Sequence, residues 1–344
     1  MSGGVDSSVT AALLVQQGYD VTGVYMKNWS QDLPGMKCPW QEDYEDAKRV
    51  AVQLGIPFKM YDFETEYRER VVAYMVEGYQ KGLTPNPDIM CNQEVKFKLF
   101  LETAVADGAD AIATGHYARV QNGELHTAAN SSKDQTYFLY RVTKDALAKS
   151  LMPIGDFETK AAVRDVAEKF GLATASKKDS QGICFVGKVG IKDFLLHELG
   201  PQQPGVVIDQ NGVSIGEHEG AIFYTIGQRQ GLGIGGGLPY YVTGKDMAKN
   251  EVYVTTDLND SSLWRSEFLL TLPHWINEFP EANKKYQVRT RYRADLVDCH
   301  LETEKNDPSS QVKLVLANEV RAITPGQSAV LYDGSRVVGG GIVA

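Results

Sequence analysis

The chain has 344 residues, 43% of them aliphatic, aromatic or cysteine, and a formal charge of −9, which is enough to bury cores in two or three domains. No apolar run reaches the roughly 18 residues of a membrane span, and no positively charged stretch followed by an apolar one opens the sequence, so a cytoplasmic protein with no membrane partner is expected. Four widely separated cysteines without a CxxC pair argue against a disulfide scaffold or zinc ribbon, and the acidic balance argues mildly against nucleic acid.

The first eight residues, Met1-Ser2-Gly3-Gly4-Val5-Asp6-Ser7-Ser8, form a glycine- and serine-rich turn that runs into a helix marked by Val9, Ala12, Leu13 and Gln16 and stopped at Gly18. Such a turn lets backbone N–H groups approach an anion, with hydroxyl donors on Ser7 and Ser8 and the positive end of the helix behind it. No lysine ends the loop, so it differs from the GxxxxGK[ST] loop. A lysine-free cradle suits release of pyrophosphate after attack on an α-phosphate. The pattern then alternates: strand 21–26, helix 42–54 closed by Gly55, strand 58–63, helices 64–80 and 94–106, strand 110–114. This predicts βαβ units and a parallel sheet whose ligands gather at the carboxyl ends of its strands. Helices follow at 158–170 and 191–199. From Pro201 onward, short alternating strands separated by turns predict an all-β half. The expected domains are 1–203, 204–265 and 266–344.

Gly82-Leu-Thr-Pro-Asn-Pro-Asp-Ile-Met-Cys-Asn92 carries two prolines, expected to hold Asn86, Asp88 and Cys91 on an extended loop ahead of a helix. A cysteine near a helix N-terminus is favoured as thiolate, and Asp88 is a candidate acid or base. In Lys177-Lys-Asp-Ser-Gln-Gly-Ile-Cys-Phe185, Cys184 has the electropositive setting of a reactive thiol. Two such cysteines brought together could transfer sulfur and close a disulfide. With Asp88 they could instead hold an iron–sulfur cluster, although a fourth thiolate is not evident. Cys38 and Cys299 lack these settings. Gly182-Ile-Cys-Phe-Val-Gly-Lys188 nearly spells a phosphate loop without its final hydroxyl, and Gly231-Leu-Gly-Ile-Gly-Gly236 matches GxGxxG without the helix it needs. Strand periodicity in 286–293 puts Arg289, Arg291 and Arg293 on one face, where either an anionic partner or nearby acidic side chains on a solvated face would compensate them.

In this order SGGVDSS, NPDIMCN, ATGHYAR, SKDQTYFLY, KKDSQGICF, TIGQRQGLGIGG, TRYR and TPGQSAVLY span residues 2–332. The set resembles the bacterial tRNA-specific 2-thiouridylases, whose catalytic domain is an N-type ATP pyrophosphatase. The resemblance implies an α/β parallel-sheet ATP pyrophosphatase domain, a small β-rich middle domain and a C-terminal tRNA-binding β-barrel. It implies ATP, with Mg²⁺, at Met1–Ser8, Met26 and Gly115, and the target base at Asn86, Pro87 and Asp88. It implies tRNA at His116, Lys133, Asp134, Gln135, Arg291, Tyr292 and Gln327. The implied reaction adenylates the 2-oxygen of the wobble uridine and replaces it with sulfur from a Cys184 persulfide, with Cys91 as nucleophile and Asp88 handling the proton. Its partners would be an upstream sulfur carrier and tRNAs for Lys, Glu and Gln. A different ATP-pyrophosphatase ligase acting on a small molecule, or a non-catalytic RNA-binding protein, would leave part of this set unused. Family members carry an apolar strand before the loop, whose burial is worth on the order of 5–9 kcal/mol. A start upstream of Met1 is therefore expected.

Overall fold

The computed structural model describes residues 1–33, 35, 37–178, 190–235, 237, 239–302 and 311–344. Helix α1 (Val5–Gln16) springs directly from the opening turn and is buried nearly all round, through Val5, Val9, Ala12 and Leu14. Strand β1 (Gly23–Lys27) lies parallel to β2 (Phe58–Asp62), and the crossover between them is α2 (Trp40–Leu54), closed by Gly55 in the left-handed conformation. Two continuous helices follow, α3 (64–80) and α4 (87–106), each with a π-helical stretch, Arg68–Val72 and Asn92–Leu99. The short strand β3 (Ile112–Ala113) pairs in parallel with a later one, β6 (Ser150–Leu151). The parallel pairing foreseen from the βαβ pattern is thus present as two separate pairs among the described residues. Between β3 and β6 lies an antiparallel hairpin of β4 (Ala118–Gln121) and β5 (Glu124–Thr127). Helices α5 (Lys160–Lys169) and α6 (Ile191–Leu199) complete this half.

One boundary differs from expectation in a way that matters for the site. Helix α4 begins at Pro87, not near residue 94, so Pro87, Asp88 and Cys91 are helical. Proline is well tolerated at the first helical position, because its missing N–H would have had no intrahelical partner. Asn86 caps the helix, its side-chain oxygen accepting from the N–H groups of Asp88 (3.1 Å) and Ile89 (3.3 Å).

The middle unit is a four-stranded sheet, β7 (Gly205–Ile208), β8 (Ser214–His218), β9 (Tyr241–Asp246) and β10 (Glu251–Thr255), ordered β8-β7-β10-β9 over a core that includes Val207, Tyr224, Val242 and Val252. The last six strands are β11 (Trp264–Trp275), β12 (Tyr286–Arg289), β13 (Val297–Glu302), β14 (Val312–Arg321), β15 (Ser328–Asp333) and β16 (Arg336–Val343). They close a barrel in the order β11-β14-β13-β12-β15-β16, with β16 returning to β11. Leu270, Val288, Leu301, Leu314 and Leu331 fill it. Strand β16 also pairs with β5 through Arg336 and His126, so the hairpin of the first domain extends the sheet of the third.

The arginine stripe does not form. Strand β12 ends at Arg289, and the chain turns over 290–293 with Arg293 in the left-handed region (φ 62°). Arg289 is drawn inward to pair with Asp134 (3.5 Å) and lies over the Tyr332 ring, while Arg291 and Arg293 remain exposed.

Candidate active site

The opening turn is held shut by its own hydroxyls. Ser7 Oγ accepts from the N–H of Ser2 (3.1 Å) and lies 3.2 Å from Ser2 Oγ, which centres it in the loop. Ser8 differs: it is fully buried and its hydroxyl donates to the Gly4 carbonyl (2.8 Å), bracing the first turn of α1. Gly3 has φ +70° and its α-carbon lies against the backbone of Asp43 in α2, where a side chain would collide. Gly115 closes the other side, since a Cβ there would lie 2.7 Å from Ser7 N. Met1 lies over Gly23 at the start of β1, and Met26 is half-buried near its end. The opening loop and Gly115 thus meet at the N-terminus of α1, where N–H groups and the helix dipole favour an anion, while Met26 lies farther along β1.

The structure adds a cation that the linear motif lacks. Lys160, at the first position of α5, donates from Nζ to Asp6 Oδ1 (2.6 Å) and lies over the Tyr117 ring; Tyr117 donates its hydroxyl to the same Asp6 oxygen (3.0 Å). Lysine-free in sequence, the cradle has a lysine in space, 154 residues away along the chain. Lys177 lies near the same wall, bridging Asp43 and Asp46 of α2 at 2.7 Å each.

Of the residues expected at the RNA, Gln135 is linked to this cradle through Tyr117. Gln135 accepts from the Tyr117 N–H (2.8 Å) and returns its own N–H to the Tyr117 carbonyl (2.9 Å). Asp134 is buried, accepts from Ala128 N–H (2.9 Å) and Thr136 Oγ1 (2.7 Å), and pairs with Arg289. Burial raises its pKa despite those partners. Its carboxylate therefore points into the protein, whereas Lys133 beside it is half-exposed. Asn92 Nδ2 donates to the Phe138 carbonyl (3.0 Å), the Phe138 ring lies 4.3 Å from Tyr292, and Arg293 lies over the Tyr292 ring. Arg291 donates to the Ala322 carbonyl (3.1 Å). Gln327 Nε2 donates to the carbonyl of Thr84 (2.8 Å), two residues before the α4 cap.

Cys91 is 1% exposed, on the fifth residue of α4 at the edge of its π-helical stretch, a local irregularity often found at functional sites. Cys184, with the decoy loop around it, lies outside the described residues. Cys38 and Cys299 are both buried, and burial pushes the Cys299 thiol up to about 12, which fits a structural role.

His116 is 8% exposed, bonded through Nδ1 to Thr114 Oγ1 (2.9 Å) and packed beside Phe97. Burial, aided by the Lys96 charge, holds its pKa well below 6.5. It is therefore neutral at pH 7, and any contact it makes to RNA would be a hydrogen bond rather than an ion pair. Below the unfolded value of about 6.5 the unfolded chain binds a proton that the folded ring refuses. Folding stability is then lost at up to about 1.4 kcal/mol per pH unit, until the folded pKa is reached. In His116→Gln that contribution is absent. Urea unfolding should show the stability gap between wild type and variant shifting in favour of the variant as pH falls from 7.5 to 5.5; a gap independent of pH would contradict the neutral buried ring.

Comparison with known proteins matches three family models along the chain: a tRNA methyl transferase HUP domain at residues 1–188, a tRNA methyl transferase PRC-barrel domain at 192–256, and an aminomethyltransferase beta-barrel domain at 265–343. The tRNA-specific 2-thiouridylase MnmA of Streptococcus pyogenes serotype M49 is 46% identical over 353 residues, covering 100% of this chain and 93% of that protein. The protein of the same description from Enterococcus faecalis is 44% identical over 352 residues with the same coverage. A solved structure described as a subunit of tRNA methyltransferase from Methanocaldococcus jannaschii shares 18% identity over 49% of this chain and 73% of that one, with a TM-score of 0.32.

Proposed function

Because the chain belongs to the tRNA-specific 2-thiouridylase family, we propose that it replaces the 2-oxygen of the wobble uridine of tRNA with sulfur at the expense of ATP. The 2-oxygen attacks the α-phosphorus, the bond to pyrophosphate breaks, and the base carries AMP on that oxygen. Backbone N–H groups of Ser2–Gly4, the Ser7 hydroxyl and the positive end of α1 hold the phosphates. Lys160, released from Asp6, stabilises the departing pyrophosphate. Among the described residues no group of three or more His, Cys, Asp or Glu is placed to hold a metal. Mg²⁺ would be held by the bound phosphates, with Asp6 as the loop's own carboxylate beside them, and would supply charge neutralisation.

Cys184 carries the sulfur as a persulfide received from an upstream carrier protein. Its terminal sulfur attacks C2 after Asp88 has taken its proton. The Cys91 thiolate then attacks the inner sulfur of Cys184, forming the Cys91–Cys184 disulfide. The broken S–S bond leaves its electron pair on the transferred sulfur, which becomes C=S as AMP departs. A thiol reductant then resets the disulfide. The base must leave the anticodon stack to be reached, at a cost of a few kcal/mol. Asn86, Pro87 and Asp88 form the pocket wall that receives it. His116, Lys133, Gln135, Arg291 and Tyr292 lie along the RNA side of this reading, whereas the Gln327 amide is turned to the Thr84 carbonyl; tRNAs for Lys, Glu and Gln are its substrates. No described helix is long and apolar enough to cross a membrane.

The observation that carries this reading is the full-length likeness to 2-thiouridylases, joined to a cradle built at the N-terminus of α1. The test is mass spectrometry of digested tRNA after incubation of unmodified tRNA with the protein, ATP and a persulfide-generating donor. 2-Thiouridine should appear only with ATP and vanish in Cys184→Ala. Product without ATP would overturn adenylation, and a fully active Cys184→Ala would overturn the persulfide.

A further inference from the structure

We propose that the Thr324–Gln327 turn of the barrel is a positioning element for the segment carrying Asn86, Pro87 and Asp88, and that it acts by gripping Thr84; this rests on the function proposed above. The turn takes both main-chain groups of that one residue. The Thr84 N–H donates to the Pro325 carbonyl (2.9 Å), and Gln327 Nε2 donates to the Thr84 carbonyl (2.8 Å). Between the two contacts Gly326 presses on the same residue. A Cβ there would lie 2.6 Å from Thr84 N and 2.8 Å from Leu83 Cβ, and its φ of +89° disfavours any side chain.

The grip is stiff at both ends. The Gly326 N–H donates to the Val343 carbonyl (2.9 Å) and the Val343 N–H to the Gln327 carbonyl (2.8 Å), tying the turn to β16. Thr84 itself is 8% exposed, and its hydroxyl lies 3.3 Å from that of Thr225 in the middle unit. On the far side Gly78 of α3 lets Pro85 pack closely, since a Cβ there would lie 2.8 Å from its ring. Residue 84 is thus a junction of all three parts of the chain. Pro85 and Pro87 have fixed φ, so a shift at Thr84 is passed to the Asn86 cap and to Asp88 rather than absorbed. A misplacement of about 1 Å at a reacting group can cost about 100-fold in rate. The side-chain amide of Gln327 is consequently engaged within the protein, and its effect on the reaction runs through Thr84.

The experiment uses the full chain with Gly326→Ala, which crowds Thr84, and Gln327→Met, which keeps the shape but removes the donor. Hydrogen exchange of the segment 82–91 is measured without RNA. Single-turnover thiolation at saturating tRNA and the tRNA dissociation constant are measured alongside. Exchange should accelerate at least about 10-fold and the saturating rate should fall about 10- to 100-fold, with tRNA affinity within about 3-fold of wild type. Gln327→Glu, which also lacks the donor, should reproduce the exchange result of Gln327→Met. Unchanged exchange in 82–91, or weaker tRNA binding at an unchanged saturating rate, would overturn the positioning role. A wild-type protein that makes no 2-thiouridine would overturn the proposed function instead, and the exchange result would still decide whether the turn holds the segment.

Discussion

Cys91→Ser is expected to lower 2-thiouridine formation at least about 1,000-fold, the scale on which removal of a nucleophile acts, while tRNA-dependent pyrophosphate release continues. The two steps separate because they use different atoms: adenylation needs the α1 cradle and the uridine oxygen, and only sulfur transfer needs the thiol. Cys91 belongs to the large core cluster that also contains Met75, Ile89, Val95 and Tyr137, so the variant must be checked for folding. A buried hydroxyl in place of a thiol costs about 1–3 kcal/mol, which a protein stable by about 5–15 kcal/mol survives. Parallel loss of pyrophosphate release and of helical circular dichroism would assign Cys91 to packing. Retained thiolation would remove it from the chemistry.

Lys160→Met is expected to slow pyrophosphate release about 100- to 1,000-fold at saturating ATP, the range for removing one preorganised group that stabilises developing charge. Affinity for tRNA should be unchanged. Methionine keeps an unbranched side chain of similar length and removes the ammonium that donates to Asp6 and lies over the Tyr117 ring. The helix should be unaffected, because its N-terminus is capped by Thr159, whose hydroxyl accepts from the Ala162 N–H (3.1 Å). Lys160→Arg should recover part of the rate, since it restores the charge with a different geometry. If Lys160→Met released pyrophosphate at the wild-type rate, the pair with Asp6 would be a structural tie and the leaving group would have another partner.

What the sequence made legible, and what it hid, follows from the range of each interaction. The opening turn, α1 and α2 were readable because their signals are local: glycines, a 3.6-residue apolar period, and glycine stops at residues 18 and 55. Lys160 was hidden because its partner is 154 residues away and nothing near either residue announces the other. The start of α4 is masked in the sequence by its two prolines, which disfavour a helix interior, whereas the second occupies the first helical position, with Asn86 as its cap. The arginine stripe requires a strand running through 290–293, but β12 ends at Arg289 and no glycine or asparagine marks the turn that follows, with its left-handed Arg293. For the proposed site, the residues expected at the nucleotide and the base are carried by local motifs. The reassignment of Ser8 and Asp134 to inward bonds needed coordinates.

The hairpin of β4 and β5 gives the molecule a limit on how it can be cut. Its backbone joins the barrel where the Thr127 N–H donates to the Ser335 carbonyl (2.8 Å), beside the paired Arg336 and His126. A fragment beginning at residue 264 would retain all six barrel strands but lose this covering segment. Strand β16 would stay paired with β15 and β11, but its start at Ser335 and Arg336 would lose these main-chain partners and present unpaired groups to solvent or to a second copy. The barrel is therefore not a cassette that can be lifted onto another enzyme unchanged. A transplant that carried residues 118–127 with it would start from a closed seam.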